Sequence, residues 1–172
     1  MKRSSCFIFV ALAALISSVA ARAEESGCDK FAWPIQAEQK LLQRPEKIAA
    51  SSGQLFSGLP DGPIELSLLR LDQAGFDKPP ERAPKNPDSF AGFLKLAAIP
   101  ADVVQISLSR ATWVDAIQDG RYLKPAAHSG ALDCPGIRKI VKFELQQGSV
   151  ILQFSGVETN SLALLIAPAP AQ

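Results

Sequence analysis

The chain has 172 residues, of which 47% are hydrophobic and 20% charged, and its formal net charge is +1. This length and hydrophobic content fit a single globular domain with its own core. The 18 Lys and Arg residues nearly balance the 17 Asp and Glu residues. The overall charge therefore gives no electrostatic reason to expect binding to nucleic acid or to an anionic membrane surface.

The first 23 residues have the pattern of a signal peptide. Lys2 and Arg3 precede the largely apolar or small segment Cys6–Ala20, and Ala21-Arg22-Ala23 is a small-x-small cleavage site. A membrane anchor is the alternative, but the apolar segment is short for a spanning helix. We expect cleavage after Ala23, which would leave a periplasmic or secreted chain of 149 residues with no membrane association.

Two cysteines remain after cleavage, Cys28 and Cys134. An even pair in an oxidising compartment favours a disulfide. In the chain-entropy model, closing a loop of about 105 residues would stabilise the fold by roughly 4–5 kcal/mol. The alternative is a nucleophilic Cys134 with His128 nearby, but nothing else around these residues resembles a cysteine-hydrolase motif.

Residues 24–63 are predicted to be an N-terminal lead-in with one short helix. The helix spans Ile35–Gln43, because Pro34 suits the first turn of a helix and Pro45 ends it. Residues 46–63 contain Gly, Ser and Pro and are predicted to be a loop.

The sequence from residue 64 to 166 is predicted to be β structure. In Val103–Leu123, Val104, Ile106 and Leu108 alternate with polar residues, as in a strand with one face in a core, and Asp119-Gly120 then suits a tight hairpin turn. The other predicted strands are Ile64–Leu71, Phe90–Ala98, Trp113–Gln118, Ile140–Gln146, 150–156 and Ser161–Ile166.

The connections complete this prediction. Residues 72–89 contain four prolines and are expected to form an extended loop. Residues 124–139 are expected to form a second long loop, and residues 167–172 a frayed tail. Together these elements predict an all-β fold, a single antiparallel β-sandwich of jelly-roll type with about seven or eight strands and one N-terminal helix.

Part of this β region resembles a known family. A strand at Val104–Leu108, a "D…DG" strand from Trp113 to Gly120 and an "F-x-L-x-x-G" hairpin at Phe143–Gly148, followed by a strand at Val150–Gly156, are similar to bacterial pre-peptidase C-terminal domains and related jelly-roll modules. The resemblance covers residues 90–166, less than half of the chain, and the long Cys134 loop departs from the pattern. It implies an accessory folding or binding module, of the kind found beside exported enzymes.

No cofactor, metal site or catalytic residue is predicted. His128 is the sole histidine, and no metal-ligand spacing links it to Asp115, Asp133 or Glu144. A cupin-like metal dioxygenase would need two histidines and a carboxylate. A hydrolase that uses carboxylates such as Asp115, Asp119, Asp133 and Glu144 remains an alternative, but no G-x-S-x-G or Gly-rich phosphate loop occurs.

The two tryptophans raise the question of sugar binding. An exposed indole ring can stack on a sugar, whereas a tryptophan within an apolar strand usually packs in the core. For Trp113 the apolar strand around it favours the core, and Trp33 is expected to pack the short helix onto the sandwich.

Charged residues in the two long loops are the candidate binding residues. If the loops meet at one end of the sandwich, they would form a mildly basic rim, with Trp113 as an additional candidate. The candidates are Glu81, Arg82, Lys85, Trp113, His128, Arg138 and Lys139. The sequence therefore favours a non-catalytic, exported β-sandwich that binds a protein partner or a surface glycan, with a small periplasmic enzyme as the alternative.

Overall fold

The computed structural model describes residues 27–170, so the predicted signal peptide and its cleavage site lie outside the described residues. Within this range, one α-helix, α1 (Gln36–Leu42), confirms the predicted helix to within one residue at each end. Short 3-10 helices span Gly27–Lys30 and Leu71–Gln73. No helix between residues 27 and 170 has the length and hydropathy that a membrane span requires.

The described part of the chain is mostly β. Its strands are β1 (Ile48–Ser51), β2 (Gln54–Phe56), β3 (Ile64–Ser67), β4 (Leu69–Arg70), β5 (Phe90–Ile99), β6 (Asp102–Leu108), β7 (Trp113–Gln118), β8 (Arg121–Leu123), β9 (Ala127–Gly130), β10 (Lys139–Leu145), β11 (Gly148–Val157) and β12 (Ser161–Pro168). The first sheet has the order β1-β3-β12-β6-β10-β9. The second sheet has the order β2-β5-β11-β7-β8, with β4 also paired to β5.

Both sheets are mixed, so the prediction of purely antiparallel strands is wrong. β1 pairs with β3 in parallel, and β2 pairs with β5 in parallel, while the other pairs are antiparallel. A parallel pair cannot be joined by a tight hairpin. Here the chain leaves β1, contributes β2 to the other sheet, and returns to the first sheet as β3.

Each predicted strand overlaps a strand of the structure, but the predicted strand Ile64–Leu71 is divided into β3 and β4 and its last residue begins a 3-10 helix. Three short strands of the described residues were missed. β1 and β2 lie in residues 46–63, and β9 lies in residues 124–139, segments that the sequence predicts as loops. β12 continues to Pro168, two residues into the predicted tail. The missed strands are three or four residues long, too short to show an alternating pattern of hydrophobic residues.

The main hydrophobic core contains residues from both sheets. Leu66 and Ile106 from the first sheet and Leu94, Leu152 and Phe154 from the second sheet are fully buried in it. These side chains are the inward positions of alternating strands, as the sequence pattern predicts.

A second core cluster covers the outer face of the first sheet. α1 packs against β12, and the cluster contains Ile35 and Leu42 from this helical segment with Ile140 and Leu165 from the sheet. As a result, polar residues on this face are also buried, among them Ser107. Trp33 packs against the same cluster, as expected.

Candidate functional site

The proline-rich loop, residues 72–89, lies across the outer face of the second sheet. The Tyr122 hydroxyl donates a hydrogen bond to the Pro79 carbonyl. Lys78 donates to the Gly120 carbonyl over 2.6 Å, and its own carbonyl accepts a hydrogen bond from the Gln153 amide over 2.9 Å. Prolines lack the backbone N–H that pairing with a strand requires. The loop is therefore attached to the sheet by these side-chain hydrogen bonds instead of by strand pairing.

Asp115 on β7 is a further anchor for this loop. Its two oxygens accept hydrogen bonds from the Trp113 indole Nε1 over 2.7 Å and from the Glu81 backbone N–H over 3.2 Å. Asp115 is only 3% exposed. Burial raises the pKa of its carboxyl above the usual 3.8, although both hydrogen bonds act in the opposite direction.

Trp113 lies on the outer face of the second sheet, at the start of β7. Its neighbour Val114 belongs to the main core, whereas Trp113 is half-buried and lies outside both core clusters. The Arg82 guanidinium lies 5.4 Å from the centre of the indole ring, and the Lys139 ammonium lies 5.6 Å from it. These distances are typical of cation–π contacts, so the ring holds two cations beside it.

Lys139 connects Trp113 to the first sheet. Its ammonium donates to the Thr112 carbonyl over 3.0 Å. The pKa of Lys139 is lowered below 10.5, first by burial and then by the positive charges of Arg138 and Arg82. The cations around Trp113 are therefore close enough to repel one another.

A first groove lies between the proline-rich loop and the ends of β7 and β11. We call it the loop groove. Its volume is about 410 Å³, and its lining includes Arg82, Pro84, Lys85, Trp113, Ser155 and Glu158. Ser155 is 1% exposed, and its hydroxyl has no hydrogen-bond partner among the described residues.

A second groove lies on the other side of Ala111 and Thr112, which line both grooves. We call it the edge groove because it is lined in part by β9, an edge strand of the first sheet. Its volume is about 280 Å³, and its lining includes His128, Ser129, Arg138 and Lys139. His128 lies on β9, not in a loop as predicted, and its side chain is exposed.

The structure brings most of the predicted binding residues to this one region. Arg82, Lys85 and Trp113 line the loop groove, and His128, Arg138 and Lys139 line the edge groove. Glu81 lies beside them, but its described contact is the backbone hydrogen bond to Asp115.

In the described part of the chain, the four cations of this region form no ion pair with a carboxylate, although the Asp115 carboxylate is close enough to act on the pKa of Lys139. Within residues 27–170 the ion pairs are Lys30–Asp133, Lys47–Glu65 and Arg70–Asp88. None of these pairs includes Arg82, Lys85, Arg138 or Lys139. We call these four residues, with Trp113 between them, the basic surface.

The predicted disulfide is confirmed, and it lies away from the basic surface. Cys28 and Cys134 are bonded, with their Cα atoms 4.6 Å apart. The Gln39 amide on α1 lies 3.6 Å from both sulfur atoms and donates to the Pro135 carbonyl over 2.7 Å. The segment around Cys134 therefore packs against α1, whereas Arg138 and Lys139, farther along the chain, line the edge groove.

A third cavity, of about 490 Å³, lies beside the proline-rich loop and was not predicted from the sequence. It is lined by Asp77, Lys78, Phe93, Ile117, Asp119, Gly120, Ser149, Val150, Ile151 and Gln153. Gln153 and Ser155 alternate with core residues on β11, so the pattern could have placed them on the outer face. No local signal shows that a distant loop covers them.

The four carboxylates that a hydrolase could use, as the sequence analysis considered, lie on different elements of the fold. Asp115 lies on β7, Asp119 follows that strand in a turn, and Glu144 lies on β10 of the other sheet. Asp133 lies 3.5 Å from Lys30. In the described part of the chain, no group of three or more His, Cys, Asp or Glu residues is placed to hold a metal ion.

A comparison with models of protein families finds no match to this chain, and a comparison with curated proteins finds no matching relative.

Proposed function

We propose that this chain is a non-catalytic, exported binding module that binds an anionic protein partner or surface glycan through the basic surface. The observation that carries the proposal is the placement of Arg82, Lys85, Arg138 and Lys139 around Trp113, with none of the four in an ion pair among the described residues. Unpaired cations beside concave grooves favour a ligand that supplies the missing negative charge.

We also infer a β-sandwich of jelly-roll type as the scaffold of this module. Eight strands support it, namely β3, β5, β6, β7, β8, β10, β11 and β12. In this set the first strand pairs with the last, the second with the seventh, the third with the sixth, and the fourth with the fifth, always antiparallel. Such nested pairing in two sheets around one core is typical of jelly rolls and supports this inference, in which β1, β2, β4 and β9 would be additions.

Export is supported by the cysteine chemistry. The Cys28–Cys134 disulfide needs an oxidising compartment to persist. Together with the leader pattern of residues 1–23, it favours a periplasmic or secreted protein. The resemblance of residues 90–166 to pre-peptidase C-terminal modules agrees with an accessory binding role.

A small hydrolase is the second candidate function, and Asp115 is the residue that favours it. A carboxyl whose pKa is raised by burial is typical of general acids. Both oxygens of Asp115, however, accept hydrogen bonds that hold the proline-rich loop and Trp113. We therefore assign Asp115 to the support of the binding surface.

The test compares the oxidised protein with a variant in which Arg82, Lys85, Arg138 and Lys139 are all changed to Gln. Binding to two anionic probes, dextran sulfate and polyglutamate, is measured by calorimetry, with neutral dextran as a control. We expect the wild type to bind at least one anionic probe, with an affinity that falls as salt is raised, and the variant to lose this binding. Equal binding by the variant, or binding to neutral dextran, would contradict the proposal.

A further inference from the structure

We propose that the ligand of the basic surface is an acidic glycan, a sugar chain with carboxylate or sulfate groups, that binds in the loop groove. An anionic group of the ligand would contact Arg82 and Lys85, and a sugar hydroxyl would bond to Ser155. This inference rests on the proposed function and narrows it to one class of ligand.

Ser155 is the first observation that supports a sugar hydroxyl. Its side chain is 1% exposed and lines the loop groove, yet its hydroxyl has no partner among residues 27–170. Ser89, at the same groove and equally buried, instead donates to the Asn86 carbonyl over 2.7 Å. A buried hydroxyl without a partner is costly, and a sugar hydroxyl, which both donates and accepts, can satisfy it.

The charges of the two grooves support an anionic sugar. Glu158 is the acidic residue that lines the loop groove, against Arg82 and Lys85, while the edge groove is lined by Arg138 and Lys139 without an acidic residue. A chain with repeated negative charges could contact both pairs of cations across the shared rim. Burial is the main cause that lowers the pKa of Lys139, and an anionic ligand would offset the smaller contribution from the charges of Arg138 and Arg82.

The surroundings of the grooves favour a glycan over an acidic protein. Protein interfaces usually contain an apolar centre and bury about 800 Å² on each partner. The large hydrophobic side chains that are exposed among the described residues are Ile48, Leu55, Leu69 and Leu132. None of them lines the loop groove or the edge groove. The volume of the loop groove, about 410 Å³, lies within the range of small-molecule sites.

Trp113 positions the cations in this arrangement. Both Arg82 and Lys139 lie within cation–π distance of its ring, so they compete with a sugar for the ring faces. The ring would hold the two cations at the boundary between the grooves. Trp113 is therefore a positioning residue, neither in the core, as the sequence favoured, nor the sugar-stacking platform that was the alternative.

The test measures the affinity of the oxidised protein for hexasaccharides by calorimetry. The acidic probes are polygalacturonate and heparin hexasaccharides, which distinguish carboxylate from sulfate, and the controls are maltohexaose and hexaglutamate. We expect at least one acidic hexasaccharide to bind more tightly than both controls. Arg82→Gln should weaken that binding about tenfold, and Ser155→Ala should weaken it about fivefold.

Ser107→Ala is the matched control for Ser155→Ala. Ser107 is also 1% exposed with an unpartnered hydroxyl, but it lies in the first sheet and lines neither groove. We expect Ser107→Ala to leave the affinity unchanged. Thermal melting checks that both alanine variants are folded. We expect melting temperatures close to that of the wild type, because each substitution removes a hydroxyl that makes no described hydrogen bond.

The outcomes separate this inference from the proposed function. If hexaglutamate binds as tightly as the acidic sugars and Ser155→Ala has no effect, the glycan is overturned while the basic surface remains a binding site. If no anionic probe binds, both the glycan and the proposed function are overturned. A loss of affinity in Ser107→Ala equal to that in Ser155→Ala would also overturn the assignment of Ser155.

Discussion

The indole Nε1 of Trp113 donates a hydrogen bond of 2.7 Å to Oδ1 of Asp115, two residues along the same strand. The other oxygen of Asp115 accepts the backbone N–H of Glu81 in the proline-rich loop. One buried carboxyl therefore fixes both the tryptophan that lies beside the cations and the loop that supplies Arg82. The shape of the loop groove therefore depends on these two hydrogen bonds of Asp115.

Asp115→Ala should detach the proline-rich loop from β7. The change leaves the Trp113 N–H and the Glu81 N–H without their acceptor, so we expect the free energy of unfolding to fall by about 2 kcal/mol. Urea denaturation measures the loss. The control is Asp77→Ala, which changes an exposed residue of the same loop and should have little effect on stability. Equal free energies of unfolding for the Asp115 variant and this control would contradict the role of Asp115 in holding the loop.

The raised pKa of Asp115 predicts a specific pH dependence of stability. Because the folded state holds the proton more tightly than the unfolded state, this group's contribution to stability is most favourable near and below pH 3.8 and decreases as pH rises through the higher folded-state pKa. Asp115→Asn keeps an acceptor oxygen but does not titrate. The stability of the wild type relative to Asp115→Asn should therefore fall as pH rises above 3.8.

Urea unfolding of both proteins across pH 3 to pH 7 measures this difference directly. Other titrating groups are common to the two proteins, so most of their contribution cancels in the comparison. A difference that rises with pH would mean that the folded-state pKa of Asp115 lies below 3.8 and would contradict the assigned direction.

Reduction of the Cys28–Cys134 disulfide should destabilise the fold. The two cysteines are 106 residues apart in sequence, so the chain-entropy model gives a loss of roughly 4–5 kcal/mol. A double Cys→Ser variant and the reduced wild type should show similar losses in urea denaturation. Unchanged denaturation midpoints in both would show that the α1 cluster is held by packing alone.

The β strands with a clear alternating pattern were predictable from the sequence. Val104, Ile106 and Leu108 on β6 point into the main core as the pattern predicts. The pattern failed for the opposite face, where Gln105 and Ser107 are buried although they were expected to face solvent. Burial of that face depends on α1, which packs there from a distant part of the sequence.

The sequence predicted which charged residues belong to the candidate site, but not how they are arranged in space. Arg82 and Lys139 are 57 positions apart in the printed sequence, and both lie against the Trp113 ring. Their meeting depends on how the proline-rich loop crosses the second sheet, which no local pattern encodes. The roles of Asp115 and Ser155 could not be predicted for the same reason, since each depends on that loop.

The most direct test of the account uses the indole N–H signals of the two tryptophans in ¹H–¹⁵N NMR spectra. Trp113 lies at the basic surface, whereas Trp33 packs on the outer face of the first sheet and serves as an internal control. Titration with the acidic hexasaccharide that binds more tightly, polygalacturonate or heparin, should shift the Trp113 signal until saturation and leave the Trp33 signal unchanged. Saturable binding that leaves the Trp113 signal unchanged, or that shifts only Trp33, would contradict binding at the basic surface.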